Sequence, residues 1–126
     1  MTARSRTLVV ASLAVSAAVF AAACGVLTKN NRCDMRPKID QCTDWRGTNV
    51  GSEVTERGVC AALGAAGGGT FTSDATCEIT NMWGGCQADF SDGSKQTNWY
   101  YKGGKITTLE EAKAKYDSNM KWVDPQ

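Results

Sequence analysis

The sequence predicts a small α+β domain, stapled by disulfides, in which two helices pack against a short antiparallel sheet of about four strands. Helix-start signals followed by apolar residues at helical spacing occur twice in the chain. Short β-prone runs, separated by turn residues, lie between them. The chain also has six cysteines in 126 residues, which is typical of small exported domains whose core is too thin to stabilise them alone.

The N-terminus carries the pattern of an export signal. Arg4 and Arg6 precede an uncharged, largely apolar run from Leu8 to Ala23, and small residues end that run. A basic start, an apolar centre and a small-residue end are the three parts of a secretory signal peptide. We therefore expect residues 1–23 to be a signal peptide and the protein to work outside the cytoplasm.

The end of this signal, Phe20-Ala-Ala-Ala-Cys24-Gly25, resembles the lipobox of bacterial lipoproteins, in which small residues precede a lipidated cysteine. The resemblance covers residues 1–25 and implies acyl chains such as palmitate on Cys24, which would attach the protein to a membrane of the cell envelope. Two other outcomes stay open. The signal could be cut after Ala23 to release a secreted soluble protein, or the run Leu8–Leu27 could stay as an anchor, since it is just long enough to span a bilayer.

Residues 24–39 are expected to form a tether, because they are polar, lack periodicity and contain Pro37. The folded domain is then expected over residues 40–126. Without Arg4 and Arg6, the 14 Lys and Arg residues of the whole chain fall to 12, against 13 Asp and Glu residues. Such a balance gives no basic surface for nucleic acid, so no nucleic-acid partner is expected.

The first helix is predicted over Ser52–Leu63. Ser52 is a good N-cap, and Glu53 and Glu56 lie in the first turns, where the helix dipole favours negative charge. The glycines that begin at Gly64 end the helix. Its apolar residues recur at helical spacing, so one side is expected to face the sheet.

Four short runs predict the strands: Thr70–Thr72, Cys77–Thr80, Gln87–Phe90 and Thr97–Lys102. The first two are expected to be joined by a turn at Ser73 and Asp74. The last two flank a polar loop rich in Ser, Asp and Gly, which makes them the best hairpin candidate. Residues 81–85, around Trp83, are expected to form a turn because they contain Asn and two glycines.

The second helix is predicted to begin at the capping box Thr108-Leu-Glu-Glu111. Its apolar face is expected to contain Leu109, Ala112, Tyr116 and Met120. The order of acidic and aromatic residues around this helix resembles the order around the first helix. There, a capped acidic start leads to Cys60 and then to Phe71. Here, a similar start leads to Tyr116 and then to Trp122, which hints at an internal repeat of two divergent copies.

The cysteines of an exported chain are expected to form disulfides. They are Cys24, Cys33, Cys42, Cys60, Cys77 and Cys86. The chain has no histidine and no Cys-x-x-Cys pair, so zinc-site spacing fails. A Cys60–Cys77 bridge would join helix to sheet and a Cys42–Cys86 bridge would close a longer loop, leaving Cys33 unpaired in the tether. Lipidation of Cys24 leaves an odd number of cysteines, which implies a free thiol or an intermolecular bridge.

The sequence excludes or disfavours several chemistries. Without histidine, nucleophilic catalysis by a Ser–His or Cys–His pair is excluded. The glycine run Gly64–Thr70 lacks the lysine of a phosphate-binding loop and follows a helix instead of opening one. Asp89–Gly93 departs from a calcium loop, because Ala88 and Phe90 occupy ligand positions and Trp99 stands where the final glutamate should be. We therefore expect no enzymatic activity, no metal and no cofactor.

The aromatic residues are the feature of the sequence that could indicate a binding function. They are Trp45, Trp83, Trp99, Trp122, Tyr100, Tyr101 and Tyr116. Most are expected to fill a core that has little Ile and Leu. Strand alternation puts Trp99 and Tyr101 on one face, where exposed rings would contact a glycan or a protein partner.

The leading hypothesis is a non-enzymatic, exported envelope or surface lipoprotein with a structural or binding role. A polysaccharide-binding module that uses exposed Trp99 and Tyr101 is the alternative. The run Cys42…Cys60…Cys77…Gly-Gly-Cys86 is similar to small exported bacterial proteins of unknown function, a resemblance that implies no activity.

Overall fold

The computed structural model describes residues 27–63, 68–115 and 118–125. The strands are β1 Thr28–Asp34, β2 Gln41–Asn49, β3 Thr70–Ser73, β4 Met82–Asp89, β5 Lys95–Tyr101 and β6 Lys121–Val123. The helices are α1 Glu53–Leu63, which follows a 3-10 turn at Val50–Ser52, and α2 Leu109–Lys113. All strands join one antiparallel sheet in the order β3-β1-β2-β5-β4-β6. The α+β class is confirmed, but the sheet has six strands instead of about four.

Two unpredicted strands, β1 and β2, form the N-terminal part of the sheet. The expected tether over residues 24–39 is therefore wrong from Thr28 onwards, since β1 lies within it. Strand β2 is central, and four successive residues, Cys42 to Trp45, are buried. A strand that is covered on both faces shows no alternation of polar and apolar residues, which is why the sequence did not reveal it.

The region between β3 and β5 also differs from expectation. Residues 74–81 form no strand, so the predicted strand Cys77–Thr80 is wrong. The predicted turn over residues 81–85 is wrong as well, because β4 begins at Met82. Its two glycines make room for tryptophans instead. A Cβ on Gly84 would lie 2.8 Å from Cε2 of Trp122, and one on Gly85 would lie 2.8 Å from Cε3 of Trp99.

Both helices form where they were predicted, with different ends. The N-cap of the 3-10 turn is Asn49, whose side chain accepts a hydrogen bond from the Gly51 N–H, so Ser52 is not the cap of this segment. Thr108 caps α2 as predicted, accepting from the Glu111 N–H at 3.1 Å. Helix α2 ends at Lys113, so Met120 lies beyond it, and Tyr116 lies outside the described residues.

The sheet has two differently covered faces. The helix face carries Cys33, Trp45, Cys86 and Tyr100, against which α1 packs through Cys60 and α2 through Ala112. The opposite face carries Cys42, Asp44, Trp99 and Tyr101. Residues 74–81, here called the roof segment, cross this face. The face is therefore called the roof face. The sheet is therefore the middle layer between two helices and one extended segment.

The sheet consists of two β-β-α-β units with the same pairing pattern. In the first unit, Cys33 of β1 pairs with Thr43 of β2 and with Phe71 of β3. In the second, Cys86 of β4 pairs with Asn98 of β5 and with Trp122 of β6. The first strand of each unit also has a register shift at the corresponding place, between Lys29 and Asn31 and between Met82 and Gly84.

A local two-fold axis relates these two units. It passes between Thr43 and Asn98, which face each other across β2 and β5 and share a hydrogen bond of 2.8 Å. Ring pairs on the helix face follow the same relation: Trp45–Phe71 with centroids 6.5 Å apart and Tyr100–Trp122 with centroids 6.4 Å apart. The arrangement is what an internal repeat of two divergent copies predicts.

Candidate functional site

The two aromatic residues expected to contact a ligand are buried. Trp99 is 5% exposed and Tyr101 is 4% exposed. The Trp99 indole donates to Asp44 Oδ2 at 3.2 Å, and the Tyr101 hydroxyl donates to the Glu78 carbonyl at 2.6 Å. The Arg36 guanidinium covers the Tyr101 ring at 4.0 Å. The prediction that exposed rings of Trp99 and Tyr101 contact a ligand is therefore wrong.

The disulfides pair differently from the prediction. Cys33 bonds to Cys60 and Cys42 bonds to Cys77, so the predicted Cys60–Cys77 and Cys42–Cys86 bridges are wrong and Cys33 is not unpaired. The two faces of the sheet explain this. Cys42 lies on the roof face and Cys86 on the helix face, with the sheet between them. Two such bridges in one small domain indicate an oxidising, exported environment.

Cys86 keeps a free thiol and is fully buried. It occupies the position in β4 that bridged Cys33 occupies in β1. Burial raises the pKa of the Cys86 thiol, against which a hydrogen bond with Tyr100 acts. A buried neutral thiol is a poor nucleophile, so Cys86 serves packing on the helix face.

Sheet side chains hold the roof segment mainly through its backbone. Arg32 donates to the Thr76 carbonyl at 3.2 Å, and Tyr101 donates to the Glu78 carbonyl. The Cys77 N–H donates to Asp44 Oδ2 at 3.2 Å, and the Cys42–Cys77 bridge adds a covalent tie. These contacts fix an extended chain across the strands of the roof face.

Asp44 is the polar centre of this face. It is fully buried, and its carboxylate also accepts two hydrogen bonds from the Arg46 guanidinium, at 3.0 and 3.3 Å. Together with the bonds from Cys77 and Trp99, these contacts satisfy both oxygens. A carboxylate that is paired in this way positions the roof and Trp99 and has no free oxygen for acid–base chemistry.

Beside the roof segment the same face opens into a cleft of about 890 Å³. Its lining includes two cations, Arg46 and Lys95, whose side chains are 40% and 48% exposed. Gln87 adds an amide, and Ile79 and Val123 add apolar surface. The volume lies within the range of small-molecule and cofactor sites.

The charged residues in and around the cleft form ion pairs. Glu78, the one acidic lining residue, is 63% exposed and pairs with Arg36 at 3.4 Å. Asp89 lies 3.5 Å from Lys95 but also 2.5 Å from Lys121, whose hydrogen bond lowers the pKa of the Asp89 carboxyl. Arg46 pairs with the buried Asp44 carboxylate and Lys95 with Asp89, so both cations of the lining have an acidic partner while their side chains stay partly exposed.

The helix face has a second buried carboxylate, that of Glu56 in α1. Its Oε2 accepts from the Asn31 amide at 2.5 Å, while Oε1 has no hydrogen-bond partner. The neighbouring Glu53 is engaged with Lys29, Ser73 and Arg57. Within the described residues, no group of three or more His, Cys, Asp or Glu side chains could hold a metal ion. Glu56 is therefore held by Asn31 through one oxygen only.

The lipidation residue predicted from the sequence, Cys24, lies outside the described residues. Across residues 27–63, 68–115 and 118–125, neither helix has the length and apolar character to cross a bilayer. Sequence reasoning missed Arg46, Lys95 and Gln87, which come from three different strands and carry no local motif. No protein-family model matches the chain, and comparison with curated proteins and with solved structures returned no match.

Proposed function

We propose that this protein is an exported, lipid-anchored protein of the cell envelope that binds a ligand in the roof-face cleft and performs no catalysis. One observation carries the binding role. A cleft of about 890 Å³, lined by the partly exposed polar side chains of Arg46, Gln87 and Lys95, lies beside a segment that is pinned by a disulfide and by a buried carboxylate. Because its wall is held in place before any ligand arrives, the cleft is preorganised for binding.

The cysteine inventory supports the lipid anchor. Among the described residues, four cysteines are bridged and the fifth, Cys86, is buried with a free thiol. Lipidation of Cys24 would leave an odd number of cysteines, and the unpaired cysteine, Cys86, lies inside the core. The two bridges within residues 27–63 and 68–115 use only described cysteines, which is consistent with our proposal that Cys24 is the modified N-terminus.

If Cys24 is the anchor, the start of strand β1 limits how far the domain can lie from the membrane. It begins at Thr28, four residues after Cys24, and a fully extended chain of that length spans at most about 14 Å. An acyl chain on Cys24 would therefore hold the sheet next to the bilayer surface. A ligand of this protein is then a component of the envelope or a protein that reaches it.

Site-specific photo-cross-linking in the envelope of an expressing bacterium tests the binding role. A benzophenone amino acid replaces Ile79, which lines the cleft and is 49% exposed. The matched control replaces Val54 of α1, which is 81% exposed on the other side of the molecule. We expect a discrete adduct from position 79 and none from position 54. Equal adducts at both positions, or none at either, would support a purely structural role instead.

A further inference from the structure

An exposed apolar surface lies at the end of the sheet where the chain enters the domain. Val54 is 81% exposed and Leu27 is 74% exposed, which makes them the two most exposed large apolar side chains of the described residues. Val50 connects them. Its N–H donates to the Leu27 carbonyl at 3.2 Å, and it stands one helical turn before Val54. These three residues are here called the entry patch.

The topology brings the entry patch together. Strand β1 begins beside the end of β2, where Thr28 pairs with Asn49, and the helical segment that leads into α1 follows β2 directly. Strand β4 runs antiparallel to β5 and ends at the same end of the sheet. Phe90, which follows β4, is 48% exposed there. Apolar side chains from three separate parts of the sequence are thus exposed at one end of the molecule.

The opposite end of the sheet has a different character. The connections after β1 and after β5 carry five charged residues there: Arg36, Lys38, Asp40, Lys102 and Lys105. The exposed large apolar side chains at that end, Ile39 and Leu63, are only 38% and 43% exposed. The domain therefore has a more apolar end, at which β1 begins, and a more charged end.

The position of Cys24 indicates the partner of the entry patch. Leu27 follows Cys24 by three residues, which span at most about 11 Å when fully extended. If Cys24 is acylated, the entry patch lies within reach of the boundary between lipid headgroups and acyl chains, where exposed apolar side chains are stabilised. An exposed apolar patch on a small domain is typical of such an interaction surface.

The charged side chains beside the entry patch are paired with one another. Glu53 lies 2.6 Å from Lys29 and 2.8 Å from Arg57. Together they leave one net positive charge, whereas recognition of anionic lipids takes a cluster of roughly four to eight basic residues. A contact of this surface with lipid would therefore depend on apolar burial and not on headgroup charge.

We propose that the entry patch inserts into the outer part of the bilayer and gives the domain a second membrane contact beside the acyl chains on Cys24. This inference rests on the proposed lipid anchor and adds the orientation of the anchored domain. Strands β1 and β2 then stand with the entry patch in the membrane and the charged end towards solvent. A benzophenone at position 54 meets lipid in this orientation, so the cross-linking control gives no protein adduct.

Paramagnetic relaxation in lipid nanodiscs tests the contact. The 15N-labelled mature lipoprotein is placed in phosphatidylcholine nanodiscs that carry a nitroxide either on the headgroup or on the acyl chain. The reporters are the amides of Gly51 and Val54 at the entry patch and of Asp40 and Gly103 at the opposite end. We expect the acyl-chain nitroxide to remove about half or more of the signal of the first two amides and none from the other two. Relaxation by the headgroup nitroxide alone would show a domain held only by its acyl chains and would overturn the proposal.

Two matched pairs of substitutions identify the side chains that make the contact. The test pair is Val50→Ser with Val54→Ser. The control pair, Val59→Ser with Leu63→Ser, has the same spacing and lies in the second half of α1. The test pair should lower the acyl-chain relaxation at Gly51 by about threefold or more, and the control pair should leave it unchanged. Equal effects of the two pairs would overturn the proposal. If a variant fails to fold, the relaxation pattern of the unsubstituted protein still decides.

The remaining outcomes separate this proposal from the proposed function. An acylated Cys24 without acyl-chain relaxation at the entry patch would overturn the second contact and leave the anchor. Relaxation that appears only after phosphatidylglycerol is added would show an electrostatic attraction and overturn the apolar contact. Entry-patch signals that shift with protein concentration, without relaxation by lipid, would assign the patch to a second copy of the chain instead. An unacylated N-terminus would overturn the anchor and this inference together, whereas the cleft is judged separately by the adduct at position 79.

Discussion

Asp44 is the residue on which the roof face depends. In the sequence it stands between Thr43 and Trp45 and looks like an ordinary surface aspartate, yet it is fully buried. Its two oxygens join three parts of the structure that are distant in sequence: Arg46 of its own strand, the Cys77 backbone and the Trp99 indole. A buried charge is tolerated because every one of these partners is in place.

Replacing Asp44 tests this role. Asp44→Asn keeps the shape but removes the charge and leaves at least one buried donor without its acceptor. We expect a loss of about 2–4 kcal/mol in the free energy of unfolding, measured by urea denaturation. The control is Asp89→Asn, whose side chain is 46% exposed and whose ion pairs are screened by solvent, so that a much smaller loss is expected. Losses of equal size would show that Asp44 does not organise the face.

At the scale of single elements, α1 is attached to the sheet by a covalent and an electrostatic link. The Cys33–Cys60 bridge joins it to β1. At its first turn, Glu53 accepts from Lys29 of β1 at 2.6 Å and from Ser73 of β3 at 2.7 Å. One carboxylate thus fixes the start of the helix over two strands.

The Glu53 contacts predict a specific acid sensitivity. Hydrogen bonds from Lys29, Ser73 and Arg57 lower the pKa of Glu53 from 4.5 to about 2. The resulting stabilisation is complete above the unfolded pKa of 4.5 and is lost as pH falls from there towards 2. Glu53→Gln should therefore flatten the decline of stability in that range, as followed by denaturation at each pH. Glu110→Gln removes the same charge from α2, and an identical change in both variants would contradict the assignment.

Elements with local signals were the ones that the sequence revealed. The start of α2 follows from its cap at Thr108, and the β4–β5 hairpin follows from a polar loop between β-prone runs. Strands β1 and β2 gave no such signal, because they bury polar residues such as Asn31 and Thr43. These side chains are satisfied by partners far along the chain, Glu56 and Asn98, which single-sequence patterns do not show.

At the scale of the whole molecule, the repeat explains the order of the strands in the sheet. The echo from Cys60 and Phe71 to Tyr116 and Trp122 hinted at two copies. It did not reveal that β2 and β5 meet at a two-fold axis. Since the cleft combines residues of β2, β4 and β5, its lining residues Arg46, Gln87 and Lys95 could be found only in the folded chain.

The cysteines connect this architecture to the cellular location. We propose Cys24 as the membrane anchor; among the described residues, four cysteines form two bridges, one on each face of the sheet, and Cys86 lies in the core. The predicted number of four bridged cysteines among the described residues is confirmed, but both predicted pairs lay across the sheet. In the folded chain, strand alternation places Cys42 and Cys86 on opposite faces of the sheet, so these two cysteines cannot form a bridge.

The most direct test of this assignment is the intact mass of the mature protein from a membrane fraction, with and without reduction, followed by a non-reducing peptide map. We predict an acylated N-terminus at Cys24, the Cys33–Cys60 and Cys42–Cys77 bridges, and one thiol that is alkylated only in denaturant, at Cys86. An unacylated N-terminus with all six cysteines paired would contradict both the anchor and the fold.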